Sequence, residues 1–223
     1  MLTAGVHCFL PRQQGHCDYP LTDLGINQAK ALGLALQTQS WDSIYSSDLF
    51  RALRTCGIAL EPNPHHPSRD GIQKTELIRE ISFGVREALS RAVTLEQATE
   101  EFARRNKISI AEVVDTAESM GQVKDRQVRF IQKLYKDLFA LSSASSSSDD
   151  EREFRVLAVS HGGFIKQFVK NFCPDVNCPG KIGNCAVSTF DIVWVDDGTP
   201  KNLDRKFKCT IKEKDLNVVY QQS

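Results

Sequence analysis

The segment from Phe154 to Phe172 constrains the fold most. Phe154 to Val159 is an apolar run of strand length, and Ser160-His161-Gly162-Gly163 ends it. Phe164, Ile165, Phe168, Val169 and Phe172 then recur at helical spacing, so a strand is predicted to turn directly into an amphipathic helix. Such a unit needs a sheet to bury the strand and a helix layer to cover it. In an open α/β sheet, ligands sit beyond the carboxyl ends of the strands. The free N–H groups and positive end of the following helix favour an anion there.

A second turn of this kind lies earlier. Trp41 to Ser46 reads as a short strand that ends at Ser46-Ser47-Asp48, with a helix running on through Arg51, Ala52, Thr55 and Leu60. Pro62, Pro64 and Pro67 end that helix and mark a surface loop. Thr22 is the expected N-cap of an amphipathic helix over 22–38, with Asp23 in its first turn. Residues 1–20 have no periodicity and are expected to be irregular, and Glu76 to Ser82 extended. Residues 86–120 read as a charged helical insertion over the site, followed by an amphipathic helix from Val123. Ser142 to Glu151, serine-rich then acidic, cannot bury a face and is expected to be a mobile loop. Ala186 to Val195 reads as a buried strand. Phe207, Cys209 and Ile211 alternate with lysines as an edge strand does. The alternation of strands and helices argues for a single α/β domain over 1–223.

Lys+Arg and Asp+Glu are equal at 28 each, so no global basic field exists to hold nucleic acid or an anionic membrane. No apolar run reaches transmembrane length, and the N-terminus lacks the basic start of a signal peptide. The expectation is a soluble, cytoplasmic chain with an undetermined oligomeric state. The seven cysteines form no Cys-x-x-Cys and read as reduced, packed thiols. His65 and His66 read as solvated loop residues, not metal ligands.

Arg51 in the first turn of its helix is placed to grip a phosphoryl oxygen pairwise, and His161 to point at the same anion. Each residue alone has an ordinary alternative: a structural histidine, a surface ion-pair arginine, and in Glu80 a solvated carboxylate. Their combination is what carries the reading.

Four ordered segments are Pro20-Leu21-Thr22-Asp23-Leu24-Gly25, Tyr45 to Thr55, Ile78-Arg79-Glu80-Ile81-Ser82-Phe83-Gly84, and Val159-Ser160-His161-Gly162-Gly163. Together they resemble the motifs of the histidine phosphatase superfamily, the phosphoglycerate mutase-like group. Glu118-Ser119 and Arg126 also fit its usual pre-helix segment. Among branches, Gln14-Gly15, the Arg79-Glu80 pair and the serine-rich insertion are most similar to TIGAR-type fructose-2,6-bisphosphatases. The resemblance implies a three-layer α/β fold, a mostly parallel sheet with helices on both faces. It implies hydrolysis of a phosphomonoester on a small phosphorylated sugar, without metal or other cofactor. A histidine attacks phosphorus and becomes phosphohistidine. Glu80 matches the acid that protonates the leaving oxygen and then activates water. Arg51 and His161 match the residues that hold the equatorial oxygens. Gly15 and Gly162 match backbone positions lining the phosphate.

One departure is large. The family's attacking histidine lies in an Arg-His-Gly run on the first, central strand, and no such run occurs in these 223 residues. Counting back from Gln14-Gly15, it would fall at or before residue 1. His7 lacks the flanking arginine and glycine, and His16 falls inside the loop beside Gly15. The central strand is expected to be absent, and stability poor, unless residues 1–13 fill the gap. Two alternatives to hydrolysis stay open: a phosphoglycerate mutase-type transferase, and a non-catalytic module that binds a phospho-ligand or protein.

Overall fold

The computed structural model describes residues 2–4, 13–64, 71–90, 92–144, 153–178, 180–194 and 209–218. Its sheet has six strands: β1 (Leu2–Ala4), β2 (Ser43–Ser47), β3 (Ile72–Thr75), β4 (Val156–Ser160), β5 (Val187–Trp194) and β6 (Cys209–Val218), in the order β3-β2-β4-β1-β5-β6. Pairing is parallel from β3 through β1, and antiparallel where β5 meets β1 and β6. Five α-helices accompany it among the described residues: α1 (Asp23–Leu36), α2 (Phe50–Leu60), α3 (Leu95–Asn106), α4 (Met120–Ala144) and α5 (Gly162–Phe172).

Residues 2–4 fill the gap at the place of the central strand. Leu2–Ala4 lies parallel to β4, with Leu2 opposite Ala158 and Ala4 opposite Ser160, and antiparallel to β5. The expectation of an irregular 1–20 fails there because three residues are too few to show a strand period. Pairing on both edges makes the strand.

Alternation along the inner strands sends side chains to opposite faces. Tyr45 and Ala158 join the core under α4 and α5, with Phe130, Ile131, Leu134, Phe164, Ile165 and Phe168. Ile44, Leu157 and Val159 join the other core under α1 and α2, with Leu32, Leu36, Cys56 and Ala59. Helices therefore cover both faces. Thr22 caps α1 as expected, its Oγ1 accepting from the Gly25 N–H at 3.2 Å.

Several expectations are corrected. The strand before Glu80 is Ile72–Thr75, and Glu76–Ile78 is a 3₁₀ turn with Thr75 as its cap. Among the described residues of 86–119 the α-helix is only Leu95–Asn106, opened by a Thr94/Gln97 capping box and closed by Lys107 in the left-handed region. Helix α4 runs on through Ala144, into the serine-rich stretch, since serine costs a helix only tenths of a kcal/mol. The rest of that stretch through Arg152 lies outside the described residues, as do His7, His65 and His66. Strand β5 is buried only at Val187 and Ser188, and Val193 is exposed, because β5 lies next to the edge. Strand β6 stands at the edge where the alternation put one.

Candidate active site

The parallel strands β2 and β4 are neighbours, so their carboxyl ends bring two strand-to-helix turns side by side. At the end of β4, His161 is the N-cap residue of α5 and is buried. Its Nε2 is 2.9 Å from Ser47 Oγ at the end of β2. Ser47 Oγ also accepts from the Leu49 N–H at 3.3 Å. Burial, together with Arg51, His16 and Arg126, pushes the His161 imidazole well below the ordinary 6.5. His161 is therefore a neutral ring at pH 7.

This sets a pH dependence. Below about 6.5 the unfolded chain binds a proton that the folded chain refuses, so stability rises with pH through that window. It is fully present above 6.5 and is lost as pH falls toward the lower folded value. Carboxylates held below their ordinary values act in a more acidic window. The hydrogen bond from Arg79 does this at Asp48. At Glu118 burial opposes charge, but bonds from Arg126 and Ser82 outweigh it. Urea unfolding at pH 7, 6 and 5 should show a decline of at most about 1.4 kcal/mol per pH unit from His161. His161→Gln should flatten it; equal slopes in both chains would remove His161 from the account.

Glu80 lies across the first turn of α5. Its carboxylate accepts from the N–H groups of Gly163 (3.1 Å) and Phe164 (3.0 Å), and from Ile81 (2.9 Å). The chain's own acid thus sits at the helix end predicted to attract an anion. Ser160 Oγ donates to the Ile78 carbonyl at 2.8 Å and ties the Glu80 segment to β4. A Cβ on Gly163 would stand 2.5 Å from Glu80 Oε1, so this position needs glycine for close approach. Gly163→Ala should displace the carboxylate and cost about 1–3 kcal/mol. Gly57 in α2 meets nothing within 4 Å, so Gly57→Ala should stabilise by about 1 kcal/mol. Opposite signs in urea melts would check both. Gly162 opens α5 beside His161, where a Cβ would make ordinary contact with Ile182 at 3.5 Å.

Arg51, in the first turn of α2, is 2% exposed. Its Nη1 donates to the Cys17 carbonyl and its Nη2 to the Gly15 carbonyl, both at 2.7 Å. Asp18 accepts from the Phe50 N–H at 2.9 Å and supplies the cap that Leu49 cannot. The loop at 13–17 is clasped from its other side as well. Ala88 N–H donates to the Gln13 carbonyl and Gln13 N–H to the Leu89 carbonyl. The Glu87 carboxylate accepts from the N–H groups of His16 and Phe83 and occupies the place a Cβ on Gly15 would need. Gly15 itself has φ +50°, which suits glycine. Arg79 pairs with Asp48 through two nitrogens, Nε at 2.7 Å, and locks the end of β2 to the Glu80 segment. Arg126 donates to Glu118 and to the carbonyls of Leu77, Arg79 and Glu80.

Arg51, Glu80, His161, Gly15 and Gly162 thus lie on adjoining turns at one end of the sheet. Three groups in this region had no weight in the sequence reading. His16 lies in a loop where no motif marks it, yet its Nε2 bonds the Glu80 carbonyl at 2.9 Å. Glu87 carries no motif and matters only because the fold folds it back on the loop. Asp18 acts across 32 positions of sequence, which no local pattern reveals. Among the described residues no cluster of His, Cys, Asp and Glu could hold a metal ion, and no helix is long and apolar enough to cross a membrane.

Residues 10–193 match the family model described as histidine phosphatase superfamily (branch 1). The chain belongs to the histidine phosphatase superfamily. Relatives within it include a zebrafish (Danio rerio) protein named fructose-2,6-bisphosphatase TIGAR B. It is 31% identical over 179 residues, covering 72% of this chain and 67% of the relative. A second zebrafish protein, named probable fructose-2,6-bisphosphatase TIGAR A, is 24% identical over 78% of this chain and 74% of its own. Solved structures share the fold. A mycobacterial glucosyl-3-phosphoglycerate phosphatase aligns at TM-score 0.67 and 20% identity, covering 98% of this chain and 97% of that one. A phosphoglycerate mutase from Bacillus anthracis aligns at TM-score 0.56 and 22% identity, covering 84% of each. The phosphoglycerate mutase-like architecture is thus the fold of this chain.

Proposed function

We propose that this histidine phosphatase domain recognises a small phosphorylated sugar, with fructose 2,6-bisphosphate the first compound to test, and that its site is built for phosphomonoester hydrolysis once an attacking histidine is supplied. The observation that carries the reading is the adjacency of Glu80, on the first N–H groups of α5, to the buried His161–Ser47 pair. A phosphoryl group beside them would have an acid for its leaving oxygen and, in Arg51 and His161, partners for its equatorial oxygens. Turnover in the family's manner also needs an attacking histidine. No Arg-His-Gly run supplies one here, so the 223-residue chain is expected to bind and not to release phosphate.

The test measures binding by calorimetry and phosphate release in parallel. One sample is this chain; the other carries an Arg-His-Gly segment at the carboxyl end of its first strand. Binding by both, with release and an acid-labile phosphohistidine only in the second, is the expected result. Transfer to phosphoglycerate in preference to water would favour the mutase-type reading. Absence of any sugar-phosphate binding would overturn the proposal.

A further inference from the structure

His16 has a tautomer that its surroundings dictate. A carbonyl oxygen only accepts, so the 2.9 Å contact with the Glu80 carbonyl requires the proton on Nε2. In the neutral ring Nδ1 is then a lone-pair acceptor. Among the described residues nothing bonds Nδ1, and the side chain is 30% exposed. The ring's place is fixed from several sides. The carbonyls before and after it, of Gly15 and Cys17, are both held by the Arg51 guanidinium. Its own N–H donates to Glu87 at 2.9 Å, and its Nε2 stands 3.9 Å from Glu118 Oε2. His16 therefore connects the two residues read as gripping phosphate and delivering the proton. An acceptor beside an anion site suits a hydroxyl hydrogen, since the oxygens of a phosphomonoester dianion have none to give at pH 8.

We propose that His16 determines specificity, accepting a hydrogen bond at Nδ1 from a substrate hydroxyl. The site then prefers phosphorylated polyols to phosphate esters without hydroxyls. The inference rests on the reading of the site as one for a sugar phosphate and adds the group that reads the sugar.

The experiment uses the full 223-residue chain at pH 8 and titrates inorganic phosphate, propyl phosphate and fructose 6-phosphate. His16→Gln keeps a donor for the Glu80 carbonyl but loses the acceptor at the ring's Nδ1 position; His16→Asn places an amide oxygen near that position. The wild-type chain should prefer fructose 6-phosphate to propyl phosphate. His16→Gln should weaken fructose 6-phosphate by about fivefold to tenfold and leave the other two ligands unchanged. His16→Asn should recover most of the loss. Equal weakening of all three ligands by His16→Gln, or no weakening of any, would overturn the role of His16 while leaving the phosphate site in place. A wild-type chain that binds none of the three overturns the underlying reading, and this inference with it.

Discussion

Arg126→Met should lower the free energy of unfolding by about 3–5 kcal/mol, the range seen when one partner of a buried ion pair is removed. Arg126 and Glu118 side chains are 9% and 15% exposed, and Arg126 Nε lies 2.7 Å from Glu118 Oε1. The substitution strands the Glu118 carboxylate. It also strips donors from the carbonyls of Leu77, Arg79 and Glu80, which have no strand partner in that stretch. The guanidinium stacks over the Phe164 ring at 5.4 Å, so packing is lost as well. A loss of that size is a large share of the roughly 5–15 kcal/mol that holds a domain together. The double variant Glu118→Gln with Arg126→Met should be less destabilised than Arg126→Met alone, because no charge is left stranded. Urea denaturation of the three chains decides it; a loss under about 1 kcal/mol in Arg126→Met would show that water reaches the pair.

The second large effect concerns ligand binding. Arg51→Ala should weaken inorganic phosphate and fructose 2,6-bisphosphate by at least about thirtyfold, the lower end of what truncating a buried charge partner costs. The side chain is almost wholly buried and already has two acceptors in the 15–17 loop. Its removal takes away the cation and frees the loop that presents His16. Arg51→Lys separates these contributions, since an ammonium keeps the charge but cannot bridge two carbonyls and an anion in one plane. It should recover a minor part of the binding. Calorimetry showing unchanged affinity in Arg51→Ala would place the phosphate elsewhere on the domain.

Much of the fold was legible because it rests on local rules. Thr22 caps its helix where a hydroxyl before Asp23 should, and the periodicity of α5 matches the face it buries. Strand β1 was not legible, since a three-residue strand has no pattern apart from its partners. The 86–120 stretch reads as a charged helical insertion, but its 113–119 part is held by non-local bonds instead, Glu118 N–H to the Ser82 carbonyl among them. At the site, Ser46-Ser47-Asp48 and Ser160-His161-Gly162-Gly163 could be found separately as turns after strands. Nothing in either segment announces that Ser47 bonds His161 across 114 positions.

By itself the sequence determined the ordered motifs and, through strand-to-helix turns at Ser47 and Ser160, the side of the sheet where they had to emerge. Those are consequences of short-range patterning and of the twist that orders βα units. Tertiary structure alone decided which polar groups meet there: Glu80 on the N–H groups of α5, Arg51 on the Gly15 and Cys17 carbonyls, and His16 on the Glu80 carbonyl. Buried donors and acceptors must find partners wherever the packed chain brings them, and that distance in space has no counterpart in residue spacing.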